Sequence, residues 1–264
     1  MKLGLAMIGV LLISACDGGT VEGSGVDGVT SSIADPNSLN GAGATGAGAF
    51  VLTSNDVNAG GLDVSLSFDN SNGVELSIFG GPPIHLTWND TQNAYVSADG
   101  FYKITPYRDP SMPDVVVYKM AFADAAEAYD ITGYFASGNL TPGANLRTSG
   151  SATYSGNMEV TDELAQTAAG KINISVNFAS AAVTGNASID SGTTLGPASF
   201  AWTNGVLQRG SGFSNYRGTL SSSDVTVTDS EVFGDFMGDQ GQFIGGYIYV
   251  NTADHSIAGV YVAK

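Results

Sequence analysis

Positive charge is scarce in this sequence. Its 264 residues include 9 lysines and arginines against 25 aspartates and glutamates, which gives a formal net charge of −16 at pH 7. Nucleic-acid binding requires a concentrated basic surface, and so few cations spread along the chain do not form one. Anionic lipid headgroups are poor partners for the folded region for the same reason. Partners drawn in by long-range electrostatics are therefore expected to be basic.

Cysteine and histidine are scarce as well. The single cysteine, Cys16, excludes an intramolecular disulfide framework and a cysteine-rich metal site. Of the two histidines, His255 follows Asp254 in a predicted hairpin turn. No Gly-x-Ser-x-Gly, His-Glu-x-x-His or Gly-Lys-Ser/Thr motif occurs, so the sequence does not predict an enzyme. The acidic residues lack the spacing of a calcium site, so we expect no bound metal.

The first sixteen residues have the pattern of a bacterial lipoprotein signal. Lys2 precedes an uncharged apolar run from Leu3 to Ala15. The run is shorter than the roughly 20 residues of a membrane span and fits the core of a signal peptide. Small residues directly before Cys16 resemble a lipobox, in which the cysteine thiol receives diacylglycerol and cleavage leaves that cysteine as the first mature residue. We expect residues 1–15 to be a signal peptide and Cys16 to carry the lipid; an ordinary secretory signal with an incidental cysteine is the alternative.

Residues 16–48 are predicted to form a flexible tether rich in Gly, Ala and Ser, because nothing in them buries enough apolar surface to order the chain. Gly41, Gly43 and Gly46 match the spacing of a dinucleotide fingerprint, but the flanking strand and helix that this motif needs are missing. Asp17 follows the cysteine, and in some enteric bacteria that position retains lipoproteins at the inner membrane. The expected location is the outer membrane or cell surface, with inner-membrane retention left open.

From Phe50 onward the sequence favours β-structure. Glycine is abundant, at 36 residues, and helix-forming residues are sparse, which is typical of all-β proteins. Leu62–Phe68 and Val74–Ile78 alternate apolar and polar residues around an Asn-Gly pair, which predicts a hairpin. Tyr95–Thr105 and Val115–Phe122 are predicted strands, whereas Asp124–Tyr129 fits either a helical turn or a loop. We assign residues 49–146 to a small β-rich domain, ended by the Pro/Gly break near residue 142.

Residues 147–264 are predicted to form an eight-stranded antiparallel up-and-down barrel. Eight short strands separated by turn residues favour a closed barrel without exposed edges. Side chains fill the interior of a barrel of that size, and Trp202 and Phe236 are predicted to lie in this core. The predicted strands are Ala152–Val160, Lys171–Phe178, Ala182–Ile189, Ala198–Val206, Gly212–Leu220, Glu231–Met237, Phe243–Val250 and Ile257–Val262.

Several motifs resemble those of transferrin-binding protein B-like surface lipoproteins. The most specific combines Gly234, Phe236 and Gly238 with the pair Gly245 and Gly246. The others are Tyr134–Thr141 with Thr148–Gly156, Lys171–Phe178 with Ala182–Gly185, and Ile257–Tyr261. Gln240 and Gln242 stand where this family usually carries an acidic residue. The resemblance covers residues 130–264 well, and residues 50–129 correspond by position to the smaller β-rich handle of such proteins.

The resemblance implies a lipid-anchored, non-catalytic envelope protein. Its partner would be a host or environmental protein or a haem- or iron-type solute, bound by handle and barrel-end loops. A monomer is expected, without a permanent cofactor, although haem remains open as a ligand. The alternative is a structural or accessory envelope lipoprotein that has no nutrient ligand.

Four residues are candidates for ligand contact: His85, Trp88, Tyr107 and Arg108. A neutral imidazole such as that of His85 is able to ligate haem iron, although a plain surface or packing role is the simpler interpretation. Tyr107 and Arg108 lie in a proline-rich segment that we predict to be a loop, where recognition is commonly located.

The pair Gly245 and Gly246 stands inside an apolar predicted strand, where glycine is unfavourable. Such a pair indicates close approach of another group to the bare backbone. The predicted neighbour is the ring of Phe233 or Phe236 on the preceding strand. The domain from about residue 147 is predicted to fold alone.

Overall fold

The computed structural model describes residues 44–52, 59–68, 73–78, 80–107, 115–124 and 129–264. Within these residues all extended secondary structure is antiparallel β-strand, in two closed barrels. The first barrel, here called the handle barrel, contains β1 Ala44–Leu52, β2 Ala59–Phe68, β3 Gly73–Ile78, β4 Ile84–Asn89, β5 Ala94–Ser97, β6 Tyr102–Tyr107, β7 Val115–Asp124 and β8 Tyr129–Gly138. The second, the C-terminal barrel, contains β9 Ser151–Asp162, β10 Thr167–Asn177, β11 Ala182–Ile189, β12 Ala198–Arg209, β13 Ser214–Gly218, β14 Asp229–Met237, β15 Phe243–Asn251 and β16 Ser256–Ala263.

The C-terminal barrel confirms the predicted fold class. Each predicted strand is present, and the barrel closes where β16 pairs with β9, for example at Tyr261 opposite Met158. β10 shows why the pattern was informative, since every second residue from Ala168 to Val176 is buried and the residues between are exposed. A strand with one buried face has this period of two because successive side chains point to opposite sides.

The handle is also a barrel, which the sequence did not indicate beyond its β-rich content. β8 returns to pair with β1, with Phe135 opposite Gly48, and the eight strands follow one another in order. The predicted hairpin of β2 and β3 is present, with Phe68 opposite Val74. Inside, the rings of Tyr118 and Phe135 stack 4.5 Å apart.

Two predicted boundaries in the handle were wrong. Tyr95–Thr105 is two short strands, because the chain turns at Gly100, whose φ of +74° suits glycine. The Asp99 carboxylate accepts hydrogen bonds from the Ser97 hydroxyl and the Phe101 amide, which stabilises this turn. β1 begins at Ala44, so the strand starts inside the predicted tether. Its Gly/Ala segment pairs through backbone groups with β2, and backbone pairing needs no apolar side-chain pattern.

Other predictions fall on residues that the structure does not describe. The signal peptide, Cys16 and the tether as far as residue 43 lie outside the described residues, as does Arg108. Asp124 ends β7 and Tyr129 begins β8, and the segment between them is likewise outside.

The interior of the C-terminal barrel is filled by large side chains. Trp202 and Tyr216 are almost completely buried and stack with their ring centroids 6.5 Å apart. Phe236 lies 6.0 Å from Tyr154 and 6.4 Å from Phe178, centroid to centroid. The interior of an eight-stranded barrel is just wide enough for side chains of this kind to fill it. The fold therefore uses this interior for packing.

The two barrels lie side by side and share two apolar clusters. One contains Val115, Val117, Tyr134 and Ala136 of the handle with Met237, Val260 and Val262 of the C-terminal barrel. The other contains Ala49, Val51 and Ala59 with Phe233, Tyr247 and Ala258.

Polar contacts join the barrels along the same face. The Asn251 side chain accepts from the Ala59 amide and donates to the Ala59 carbonyl, both at 2.8 Å. Lys119 and Glu159 form an ion pair at 2.9 Å. These contacts define how the barrels dock, and independent folding of residues 147–264 stays a prediction.

Candidate functional site

The structure does not bring His85 and Trp88 together. Both lie on β4, where Trp88 packs against the handle core and the exposed His85 stands opposite Glu75 of β3 on the outer face. Residues three apart on a strand point to opposite sides of the sheet. Trp88 donates its indole N–H to Asp90 at 2.8 Å and meets the Tyr95 ring edge-on at 4.9 Å. Packing accounts for Trp88, and this register places it on the opposite face of β4 from His85. A ligand role for either residue stays a prediction.

Tyr107 is the last residue of β6, with its backbone opposite Val117 of β7. The sequence placed Tyr107 in a loop, whereas the strand continues through Pro106 to Tyr107. Its neighbour Arg108 lies outside the described residues. The strand continues because Pro106 lacks only the N–H donor and keeps a carbonyl acceptor, so extended backbone remains compatible with proline.

The glycine motif lies where the barrels meet. Gly234 of β14 and Gly246 of β15 stand opposite each other in register, and the Tyr261 ring covers both from inside the barrel. A Cβ on Gly246 would lie 2.6 Å from the Tyr261 hydroxyl oxygen and against the Phe233 carbonyl oxygen. The close neighbours of this glycine are therefore the Tyr261 hydroxyl and a backbone carbonyl. The prediction that a ring of Phe233 or Phe236 covers it was wrong. The residue that covers Gly246, Tyr261, lies on β16, and its distance along the sequence gave no sign of this contact.

Gly245 and Gly238 serve the junction between the barrels. A Cβ on Gly245 would lie 2.9 Å from Cβ of Ala136 in the handle. Gly238 has a φ of +85° and turns the chain between β14 and β15. Its carbonyl accepts a hydrogen bond from the Thr141 hydroxyl at 2.5 Å, which attaches the segment between the barrels to this turn. The motif residues thus act in packing and chain reversal.

One end of the C-terminal barrel is acidic. In an up-and-down barrel, alternate connections lie at the same end, which here groups the loops 163–166, 190–197, 219–228 and 252–255. We call these loops the acidic end. They contain Asp190, Asp224 and Asp254 at exposed positions, and no lysine or arginine stands in any of the four. Residues 220–227 also line an open depression of about 390 Å³, and half of these residues are serine or threonine.

Buried carboxylates hold the acidic end in shape. Asp162 accepts from the Leu164 and Gln166 amides within its own turn and from the Thr194 amide of the next loop, at 2.7–2.9 Å. Glu163 accepts from the Ser256 amide at 2.9 Å and contacts Nδ1 of His255 at 2.8 Å.

These hydrogen bonds also set the charge of Glu163. Burial alone raises the pKa of its carboxyl, but the bonds from Ser256 and His255 outweigh it and lower the pKa below its usual value. The sequence indicated a solvated turn at His255 and missed its contact with Glu163. The two residues are far apart in sequence, so only the barrel topology reveals the pair.

The described residues contain neither a candidate membrane-spanning helix nor a candidate metal site. No helix among them is long and apolar enough to cross a membrane. In the same part of the chain, His, Cys, Asp and Glu side chains form no group of three suited to a metal ion.

Comparison with solved structures identifies the fold. A double mutant of transferrin-binding protein B (TbpB) from Haemophilus parasuis matches with a TM-score of 0.50 and 13% identity, over 82% of this chain and 44% of that one. This chain has the fold of TbpB. Isotype 1 TbpB from serogroup B Neisseria meningitidis matches with a TM-score of 0.49 and 14% identity, over 82% and 42% of the chains. The N-lobe domain of lactoferrin-binding protein B of Moraxella bovis matches with a TM-score of 0.38 and 11% identity, over 82% and 98%.

The likeness to TbpB is one of structure. The predicted resemblance is confirmed at the level of the fold, and this chain spans less than half the length of the Haemophilus parasuis and Neisseria meningitidis TbpB chains. No profile of a known protein family matches the sequence, and neither does any curated protein.

Proposed function

We propose that this chain is a lipid-anchored protein of the bacterial envelope that binds a partner protein through barrel-end loops, without catalysis. TbpB, whose fold it shares, is by name a binder of transferrin. A host or environmental protein is accordingly the partner class. The anchor is the lipid on Cys16, and the location is the outer membrane or the cell surface.

The filled barrel interior is the observation that carries this proposal. Solute-binding barrels hold their ligand in a central cavity, but Trp202, Tyr216 and Phe236 occupy that space in the C-terminal barrel. His85 lies exposed on the outside of the other barrel, without an apolar pocket formed with Trp88. Because a haem-type solute needs a largely enclosed apolar site, these features favour a macromolecule bound at the surface.

The acidic end is the surface that we assign to this contact. Asp162 and Glu163 hold three of its four loops in place. In the fourth loop the Asp224 carboxylate accepts from the Ser199 amide at 2.8 Å, so the exposed aspartates are presented on a rigid support. Loops on a rigid scaffold are common recognition elements. A concentration of one sign of charge accelerates association with a partner of opposite sign. The partner surface is therefore basic.

The test uses the full chain carrying Cys16→Ser, immobilised and titrated with purified transferrin, lactoferrin, haemoglobin and free haem at low ionic strength. We expect one of the proteins to bind, and the triple variant Asp190→Asn, Asp224→Asn, Asp254→Asn to associate with it about tenfold more slowly. The matched control is Glu75→Gln, Asp90→Asn, Asp239→Asn, which removes equal charge at exposed positions outside the acidic end.

Equal slowing in both triple variants would assign the effect to net charge and overturn the assignment of the surface. Binding of free haem alone would replace the partner class by a solute. Failure of all four probes to bind would favour the accessory envelope role.

The anchor makes a separate prediction. Acyl chains hold a protein at a membrane with about 0.8 kcal/mol for each buried CH₂ group, so Cys16→Ser should release the protein into the soluble fraction. Cell fractionation and labelling with a palmitate analogue measure this, and an outer-membrane marker protein serves as the control. Unlabelled wild-type protein would contradict lipidation of Cys16.

A further inference from the structure

Asp235 lies on the outer face of β14, at the contact between the two barrels. Its neighbours on the same face, Phe233 and Met237, belong to the two apolar clusters shared with the handle. The residues on either side in sequence, Gly234 and Phe236, face the interior of the C-terminal barrel. Gly245, the partner of Asp235 on β15, approaches Ala136 of the handle. Asp235 is therefore buried by docking and not by the barrel that carries it.

Asp235 is almost entirely buried, and its carboxyl has no hydrogen-bond donor or ion-pair partner among the described side chains. Only 6% of the residue is exposed. Burial raises its pKa to about 7.

The charged groups around the joint are already engaged. Arg217 pairs with Glu231 at 3.0 Å, and Lys119 pairs with Glu159 at 2.9 Å. The Tyr247 hydroxyl donates to Glu231 at 2.6 Å. The titratable group that senses the charge of Asp235 is Tyr261, whose own pKa is raised mainly by burial and further by Asp235. Within the part of the chain that the structure describes, no unpaired cation is thus left beside Asp235 to stabilise its ionised form.

We propose that the contact between the handle barrel and the C-terminal barrel is a pH-dependent joint, with Asp235 uncharged when the barrels are docked. Separation of the barrels returns this carboxyl to water while both barrels stay closed. Ionisation therefore favours the separated arrangement, and protonation favours the docked one.

The pH range follows from the two forms of the carboxyl. An aspartate in water has a pKa near 3.9, so below about pH 4 Asp235 is protonated in both arrangements. Between about pH 4 and pH 7 it ionises only when the barrels are separated, and the docking constant falls about tenfold per pH unit. Above about pH 7 it is ionised in both arrangements, and the constant levels off.

The test measures how often the joint opens. A single reporter, Ala258→Cys, is placed in the full chain carrying Cys16→Ser, because Ala258 is fully buried between the barrels. Its thiol is reacted with a pyridyl disulfide, a reagent that remains reactive toward thiols at acidic pH. The rate is divided by that of a chain with the exposed reporter Ser188→Cys, so that the pH dependence of the reaction itself cancels. We expect this ratio to rise about 100-fold from about pH 4.5 to pH 6.5 and to level off above about pH 7. With Asp235→Asn the ratio should stay flat.

The control is Glu75→Gln, which removes an exposed carboxylate on the outer face of the handle barrel and should leave the pH dependence unchanged. Ala136→Cys on the handle side is the second reporter, used if Ala258→Cys disturbs the fold. The same pH slope with Asp235→Asn, or a flat ratio in the chain that retains Asp235, would overturn the proposal.

Discussion

Gly246→Val should lower the melting temperature of this protein by roughly 6–12 °C, given about 2–4 °C per kcal/mol for a chain of this size. A side chain at Gly246 meets the Phe233 carbonyl and the Tyr261 hydroxyl oxygen, which would lie 2.6 Å from the new Cβ. Neither is free to retreat, because the Tyr261 hydroxyl donates to that carbonyl at 2.7 Å and bonds the Tyr216 hydroxyl at 2.5 Å. Overpacking of this kind costs about 3 kcal/mol or more. Thermal unfolding followed by circular dichroism measures the change.

Gly212→Val is the matched control for this substitution. Gly212 lies in the turn between β12 and β13, where an added Cβ meets nothing within 4 Å. This control should melt within a few degrees of the wild type. A higher melting temperature for Gly246→Val would show that the Tyr261 pair moves aside, and the close-packing role of Gly246 would then be abandoned.

Trp202→Ala should destabilise the protein by about 3–5 kcal/mol, as removal of a large buried aromatic side chain does. Trp202 stacks on Tyr216 and lies against Gly185, where any side chain would collide with its ring. It also lies beside Gly218, where a Cβ would be 3.3 Å from the ring. The surrounding strands pair on both sides and cannot close the space completely, so a cavity remains. Urea unfolding monitored by circular dichroism gives the free-energy difference.

Trp88→Ala is the comparison for Trp202→Ala, because Trp88 is half-buried in the other barrel. Its loss should be clearly smaller. Indole, a small aromatic probe, should stabilise Trp202→Ala and leave the melting of the wild type unchanged, because only the variant has a cavity where the Trp202 side chain was. Stabilisation of the wild type by indole would contradict the filled interior on which the proposed function depends.

The strands of the C-terminal barrel could be predicted from the sequence because each has one face on the core and one in water. β10 and β11 alternate on that account. β11 has the predicted bounds, whereas β10 begins four residues before the predicted strand, at Thr167. The start of β1 could not be predicted in this way. Its first residues are glycine and alanine, which pair through the backbone and carry no alternating pattern. A strand without such a pattern resembles a linker in sequence.

The candidate ligand residues show a second limit of prediction from sequence, which concerns sites and not strands. His85 and Trp88 are close in sequence and carry the expected chemistry, but strand geometry places them on opposite faces. Conversely, Glu163 and His255 meet although nothing in the sequence connects them. A proposed site assembled from neighbours in sequence fails on a β-strand whenever their spacing is odd.

Local residue patterns were enough to predict the all-β class, the approximate position of the C-terminal strands and close packing against Gly245 and Gly246. These follow from the period of two along a strand and from the cost of glycine in a strand. The closure of the handle into a second barrel, the position of Tyr261 over Gly246 and the burial of Asp235 between the barrels follow from the tertiary structure alone. Each of these depends on segments distant in sequence. Their contact is set by how whole sheets close and dock, and no local pattern of residues encodes that geometry.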